Sequence, residues 1–173
     1  MNKLENIKNI KYKLSIYNKV NYYQLLLIND INSTIINIVN NYNTDNIILF
    51  NLFYENILKI NTQKNIININ NANDYNEILN LYNTKNNIVI VSNHNNIFCK
   101  KWTKDELYNI FNTYKNLLFI IDETYIYENK KDIFSCVDFI NLFHNIIVIK
   151  TFNNIFKCNI KYIVSNVKLI NEI

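Results

Sequence analysis

The chain's 173 residues suffice for one domain with a buried core, and no apolar run nears the ~20 residues that a membrane-spanning helix needs. The net charge of +4 comes from scattered lysines with no arginine, and no RNA-binding signature accompanies it, so neither a nucleic-acid nor a membrane partner is expected. Three cysteines without Cys-x-x-Cys spacing argue against a disulfide frame or a metal site, and the absence of glycine excludes a P-loop.

Residues 1–21 carry Lys3, Lys8, Lys11, Lys13 and Lys19 and read as a helical lead-in with a solvated face. An apolar run at 24–28 predicts a strand, and 33–40 a helix. A strand at 46–50, a helix at 54–59 and a strand at 66–69 follow. The Asn-rich stretch 68–76 reads as a loop leading to a helix at 75–81 and a strand at 88–91. Thr103-Lys104-Asp105-Glu106 has capping-box form, so 104–115 is a helix, with Leu107, Ile110, Phe111 and Tyr114 on one face. Residues 117–121 are a strand, 132–143 a helix, and 146–149 and 160–164 strands.

Continuous Ile/Leu/Val runs suit strands covered on both sides. Alternation with helices then predicts an α/β fold: three layers, a mostly parallel sheet with helices on both faces. Residues 1–173 form a single domain, with no linker and no repeat. Asn supplies 39 residues and Ile 33, while Ala72 is the sole alanine. Such usage points to an AT-rich gene, as in a reduced symbiont or organelle genome; design with a restricted alphabet is the alternative. Without glycine, every turn needing φ > 0 is expected to use Asn or Asp. Without arginine, no bidentate fork exists for phosphate or carboxylate. Cysteine usage and the lack of a signal peptide point to a reducing, cytoplasmic or matrix-like compartment.

The run 117–121 delivers Asp122-Glu123-Thr124-Tyr125 to the end of a buried strand, where open α/β sheets bind ligands. Upstream stands Ser92-Asn93-His94-Asn95-Asn96-Ile97-Phe98-Cys99; downstream, a strand enters Thr151-Phe152-Asn153-Asn154-Ile155-Phe156. In this order and spacing the segments resemble the large domain of the fold-type-I aminotransferases that use pyridoxal phosphate (PLP), above all histidinol-phosphate aminotransferase. The likeness runs from about Tyr22 to the C-terminus. Threonine-phosphate decarboxylase is a relative that the same motifs admit. The resemblance implies PLP as cofactor and an amino or keto acid as substrate. It implies Asp122 opposite the pyridine nitrogen, Asn96 and Tyr125 on the phenolic oxygen, and Tyr54 stacked on the ring. Asn153 falls at a phosphate-binding serine.

The departures are as specific. Asn154 stands where the family keeps its Schiff-base lysine, and an amide forms no aldimine and shuttles no proton. Lys157 is the one amine placed to rescue that role. Asn29-Asp30-Ile31-Asn32-Ser33-Thr34 replaces a glycine-containing phosphate cup: Ser33 and Thr34 offer hydroxyls, but Asp30 repels an anion. The small domain of the family is missing, which leaves apolar surface for a partner chain or a homodimer to cover. Two readings follow: an impaired histidinol-phosphate-aminotransferase-like enzyme, or a non-catalytic remnant or interaction subunit of a split PLP enzyme. A Cys99–His94 nucleophile pair in the loop after the fourth strand is an alternative to structural loop residues, and His144 opens the strand before Thr151.

Overall fold

The isoleucine-rich runs become strands, and those in the middle of the sheet are covered by helices on both faces. The computed structural model describes residues 3–50, 52–69, 74–83, 86–92, 102–124, 134–153 and 159–173. Its strands are β1 (Leu25–Ile28), β2 (Asn46–Leu49), β3 (Asn65–Asn68), β4 (Ile88–Ser92), β5 (Leu118–Asp122), β6 (Ile146–Asn153) and β7 (Asn159–Ser165). They form one seven-stranded sheet in the order β1-β7-β6-β5-β4-β2-β3. The pairs from β3 to β6 are parallel, and β7 runs antiparallel to both of its neighbours, β6 and β1. The two reversals cancel, so β1 points the same way as β6. The ends of β1, β2, β4, β5 and β6 therefore share one edge. Every strand read from the sequence is present, and β6 runs four residues further toward that edge than expected.

Helices α1 (Lys3–Asn18), α2 (Ile31–Asn41), α3 (Glu55–Asn61), α4 (Tyr75–Tyr82) and α5 (Lys104–Thr113) fall where helices were expected. A short α6 (Val167–Glu172) follows β7 and was not foreseen. Strand alternation sorts the core into two layers. On one face, Val89, Val91, Phe119, Ile121, Ile146 and Val148 pack with residues of α1, α4 and α5. On the other, Ile47, Leu49, Ile88, Ile90, Ile120 and Ile149 pack with residues of α2, α3 and α6. The three-layer, mostly parallel α/β architecture is the one the sequence predicts.

Helix α5 shows how local signals and packing agree. The Thr103 side chain accepts from the Glu106 N–H, and the Glu106 carboxylate accepts from the Thr103 N–H at 2.8 Å. Behind this cap, Leu107, Ile110, Phe111 and Tyr114 are all buried. Phe111 meets Phe119 of β5 edge-on, with ring centroids 5.1 Å apart.

Two expectations are corrected. The helix expected over 132–143 is, among the described residues, only the 3₁₀ turn Cys136–Phe139. The Cys136 N–H donates to the Glu123 carboxylate at 2.6 Å, and the Val137 N–H donates to the Ser135 hydroxyl at 3.3 Å, so side chains hold the entry to this turn. Phe139, Ile140 and Phe143 still reach the core, which is why the apolar spacing looked helical. The second correction concerns left-handed backbone. Among the described residues, the one at positive φ is Lys19, at 55°, not an Asn or Asp. It ends α1 in a Schellman arrangement: Val20 N–H donates to the Ser15 carbonyl at 3.0 Å and Lys19 N–H to the Ile16 carbonyl at 3.1 Å. That position favours glycine, which this chain lacks.

Candidate functional site

Asp122 closes β5, a strand buried at every position. Parallel pairing sets it beside Ser92 of β4 and Ile149 of β6, at the shared edge of strand ends. Alternation then splits the acid pair. Asp122 lies on the α2/α3 face and Glu123 on the α5 face, and both are buried. They build two separate polar clusters.

The Asp122 cluster joins β5 to the segment after β2. The 3₁₀ turn Leu52–Tyr54 carries Tyr54 back under the sheet edge, where it is 2% exposed. Its hydroxyl donates to Asp122 Oδ2 at 2.6 Å, and the Thr124 N–H donates to Asp122 Oδ1 at 2.9 Å. Thr151 of β6 donates to the Thr124 carbonyl at 2.8 Å, which fixes the turn that follows the acid. A buried carboxylate needs such donors, since an unpaired one carries a large desolvation cost.

The Glu123 cluster is one the sequence reading missed. Glu123 accepts from the Ser135 hydroxyl at 2.6 Å, the Cys136 N–H at 2.6 Å and the Lys150 ammonium at 3.2 Å. Lys150 also donates to Ser135 at 3.0 Å. Burial, followed by the charge of Glu123, pushes the Cys136 thiol well above its ordinary range, which disfavours the thiolate there. A signal was available: Glu123 and Lys150 each stand at the end of an apolar run, on neighbouring strands.

A third place lies at the start of α2, just past β1. Asp30 is the N-cap; its carboxylate accepts from the Ser33 N–H and the Ser33 hydroxyl, each at 2.8 Å. The Thr34 hydroxyl donates to the Asp30 carbonyl at 2.6 Å. Lys161 of β7 stands 4.0 Å from the Asp30 carboxylate and donates to the Asn29 carbonyl at 3.3 Å. The Ser33 N–H, its hydroxyl and the nearby Lys161 hold the Asp30 carboxyl below the ordinary carboxylate range.

The structure thus brings Tyr54 and Asp122 together. Asn153 ends β6, paired with Asn159 of β7. Asn96, Tyr125, Asn154 and Lys157 lie outside the described residues, as do His94 and Cys99. The described residues hold no cluster of His, Cys, Asp or Glu able to bind a metal, and no helix long and apolar enough to cross a membrane.

No family model and no curated protein matches the sequence. Solved structures do match the fold. A candidate histidinol-phosphate aminotransferase from Erwinia carotovora atroseptica superposes with a TM-score of 0.81 at 19% identity, over 99% of this chain and 54% of that one. The L-threonine-O-3-phosphate decarboxylase of Porphyromonas gingivalis gives 0.76 at 17%, over 95% and 54%. The fold is that of the fold-type-I aminotransferases. The histidinol-phosphate aminotransferase of Sinorhizobium meliloti, solved in complex with pyridoxal-5'-phosphate, gives 0.78 at 14%, over 94% and 48%. The chain spans about half the length of these aminotransferase-fold relatives. Coverage of 99% also extends the likeness ahead of Tyr22 to take in α1.

At two of the places where the resemblance expects contacts to PLP, the described residues pair with one another. The carboxylate meant for a pyridine nitrogen already has the Tyr54 hydroxyl on one oxygen and a backbone N–H on the other. At the helix start, the Ser33 N–H and hydroxyl donate to the Asp30 carboxylate and the Thr34 hydroxyl to the Asp30 carbonyl.

Proposed function

We propose that this chain is the sheet-bearing half of an aminotransferase-like protein of the histidinol-phosphate aminotransferase and threonine-phosphate decarboxylase group, and that alone it transfers no amino group. The observation that carries the reading is Asn154, which follows β6 where the resemblance calls for the lysine. An amide nitrogen is neither nucleophilic nor basic enough to replace it. The two lysines of β6 and β7 that the structure describes do not compensate: Lys150 is paired with Glu123 on the opposite face, and Lys161 stands beside Asp30. We place the protein in a reducing, cytoplasm-like compartment, in keeping with the buried thiol of Cys136.

The test is a turnover assay with PLP, using histidinol phosphate with 2-oxoglutarate and then threonine phosphate. Borohydride reduction and peptide mapping complete it. The expected result is no product and no specific adduct. Transamination, or a stoichiometric adduct on Lys157, overturns the reading.

A second reading is a subunit of a split enzyme, whose partner chain would carry the part of the fold that this sequence does not span. Phe53, beside Tyr54 and 55% exposed, is apolar surface that such a partner would cover. Turnover by a mixture of the two chains, absent from each alone, supports this version; a chain that stays monomeric and inactive in every mixture removes it.

A further inference from the structure

We propose that the cavity between the end of α2 and helix α6 binds a small primary amine with an apolar body, its chain against the starts of β5 and β6 and its ammonium on Glu172 and the Tyr42 hydroxyl. The cavity has a volume of about 390 Å³, inside the range of roughly 300–1,000 Å³ typical of small-molecule sites. It lies at the other end of the sheet from Asp122: Leu118, part of its lining, opens β5, and Asp122 closes that strand. It is therefore separate from the candidate site, and the proposal does not depend on whether the chain transfers amino groups.

The way two helices end and begin leaves this gap. Helix α2 packs Ile35, Ile38 and Val39 on the sheet and stops at Asn41. Tyr42 follows in extended backbone, and its N–H donates to the Ile38 carbonyl at 2.9 Å. Helix α6 is anchored at its start by Asn166. That side chain accepts from the Leu169 N–H at 3.0 Å and donates to the His144 carbonyl, just ahead of β6, at 2.6 Å. Between the helices, the strand residues Leu118 and Ile147 and the helix residues Ile38 and Leu169 supply an apolar lining.

The polar part of the lining selects the charge of the ligand. Glu172 is the one carboxylate side chain in it, and no lysine is present, in a chain that has 18. Lys64 donates to the Tyr42 carbonyl at 3.0 Å but does not line the cavity. Among the described residues, neither the Glu172 carboxylate nor the Tyr42 hydroxyl has a hydrogen-bond or ion-pair partner. Burial, and then the charge of Glu172, raises the Tyr42 phenol above its ordinary range, so the hydroxyl stays protonated near a negative charge. A bound ammonium donates to the carboxylate and to the phenol oxygen while its chain covers the apolar lining. An anion meets like charge at Glu172, and a neutral alcohol gains nothing from it.

Hexylamine is the probe, with butylamine, 1-hexanol and hexanoate for comparison. Binding is followed by the amide chemical shifts of the chain near neutral pH and at low ionic strength, where an exposed charge pair is screened least. The expected result is saturable shifts at residues 38–42 and 169–172, with a Kd of roughly millimolar order. Each methylene covered raises affinity about fourfold, so hexylamine binds about 15-fold more tightly than butylamine. Hexanol binds about threefold more weakly than hexylamine, and hexanoate does not saturate. Glu172→Gln weakens hexylamine about threefold and leaves hexanol unchanged. Leu169→Trp fills the cavity and removes binding of both. Glu172 is exposed, so Glu172→Gln folds whatever becomes of the Leu169 variant. No saturable shift up to roughly 50 mM hexylamine overturns the proposal, as does equal binding of hexylamine and butylamine. A Glu172→Gln chain with unchanged preference for the amine overturns it too, and so does a folded Leu169→Trp chain that binds like the wild type.

Discussion

Replacing Glu123 by alanine removes the acceptor for three donors at once: the Ser135 hydroxyl, the Cys136 N–H and the Lys150 ammonium. The Glu123 side chain has no exposed surface and that of Lys150 has 14%, so water reaches the gap poorly. A buried N–H left without a partner costs about 1–3 kcal/mol. Breaking a buried ion pair by deleting one member costs about 3–5 kcal/mol in all, since the other charge stays behind. Lys150 keeps Ser135 and some access to solvent, which favours a value of about 4 kcal/mol. Against a total stability of roughly 5–15 kcal/mol, that is about a quarter or more of the margin. At about 2–4 °C per kcal/mol for a domain of this size, the unfolding midpoint falls by about 8–16 °C. Glu123→Gln keeps one acceptor oxygen and costs about 2 kcal/mol. Pairing it with Lys150→Met recovers much of the loss, because no unpaired charge remains. Urea denaturation followed by circular dichroism measures all three. A Glu123→Ala chain within about 1 kcal/mol of wild type, with unchanged slope, refutes the claim that this cluster binds β5, the 3₁₀ turn and β6 together.

Two further outcomes are expected. Asp30 has its pKa depressed in the folded chain, so its contribution to stability is fully present above its ordinary value of 3.8 and is lost as pH falls through the depressed one. A carboxyl-carbon NMR titration should place its midpoint below 3.8, and the Asp30→Ser variant should lack that step in the stability–pH profile. Lys19→Gly relieves the left-handed residue at the end of α1 and raises stability by about 1 kcal/mol in urea unfolding; a neutral or destabilising result would show that the Lys19 side chain offsets its backbone cost.

The sheet was legible because its central strands are buried on both faces. The Ile and Val of β4, β5 and β6 pack against helices on each side, which writes continuous apolar runs into the chain. Helix α5 was legible because its cap and its stripe agree. The stretch before Phe143 was not, because its apolar spacing serves the core while Glu123 and Ser135 take over backbone N–H groups near the start of the turn. Asp122 could be placed at a strand end from sequence, but its partner could not. Tyr54 is 68 positions earlier, one of 13 tyrosines, and nothing local marks the one whose hydroxyl meets an acid. Lys19 escaped for another reason: composition predicted which residue types would take φ > 0, and the Schellman end of α1 falls on a lysine instead.

The place of β7 between β6 and β1 has a kinetic consequence. Leu25 lies opposite Val164, so the first strand of the sheet is completed by the last. Local order cannot supply this pairing, and non-local contacts of this kind slow folding. On the ribosome, β1 emerges long before its only strand neighbour, and its row Leu25-Leu26-Leu27-Ile28 must wait unpaired until the final strand is made. The β2–β4–β5–β6 sheet assembles from segments nearer in sequence and can form first. Closure of β7 onto it and of β1 onto β7 is then the late event.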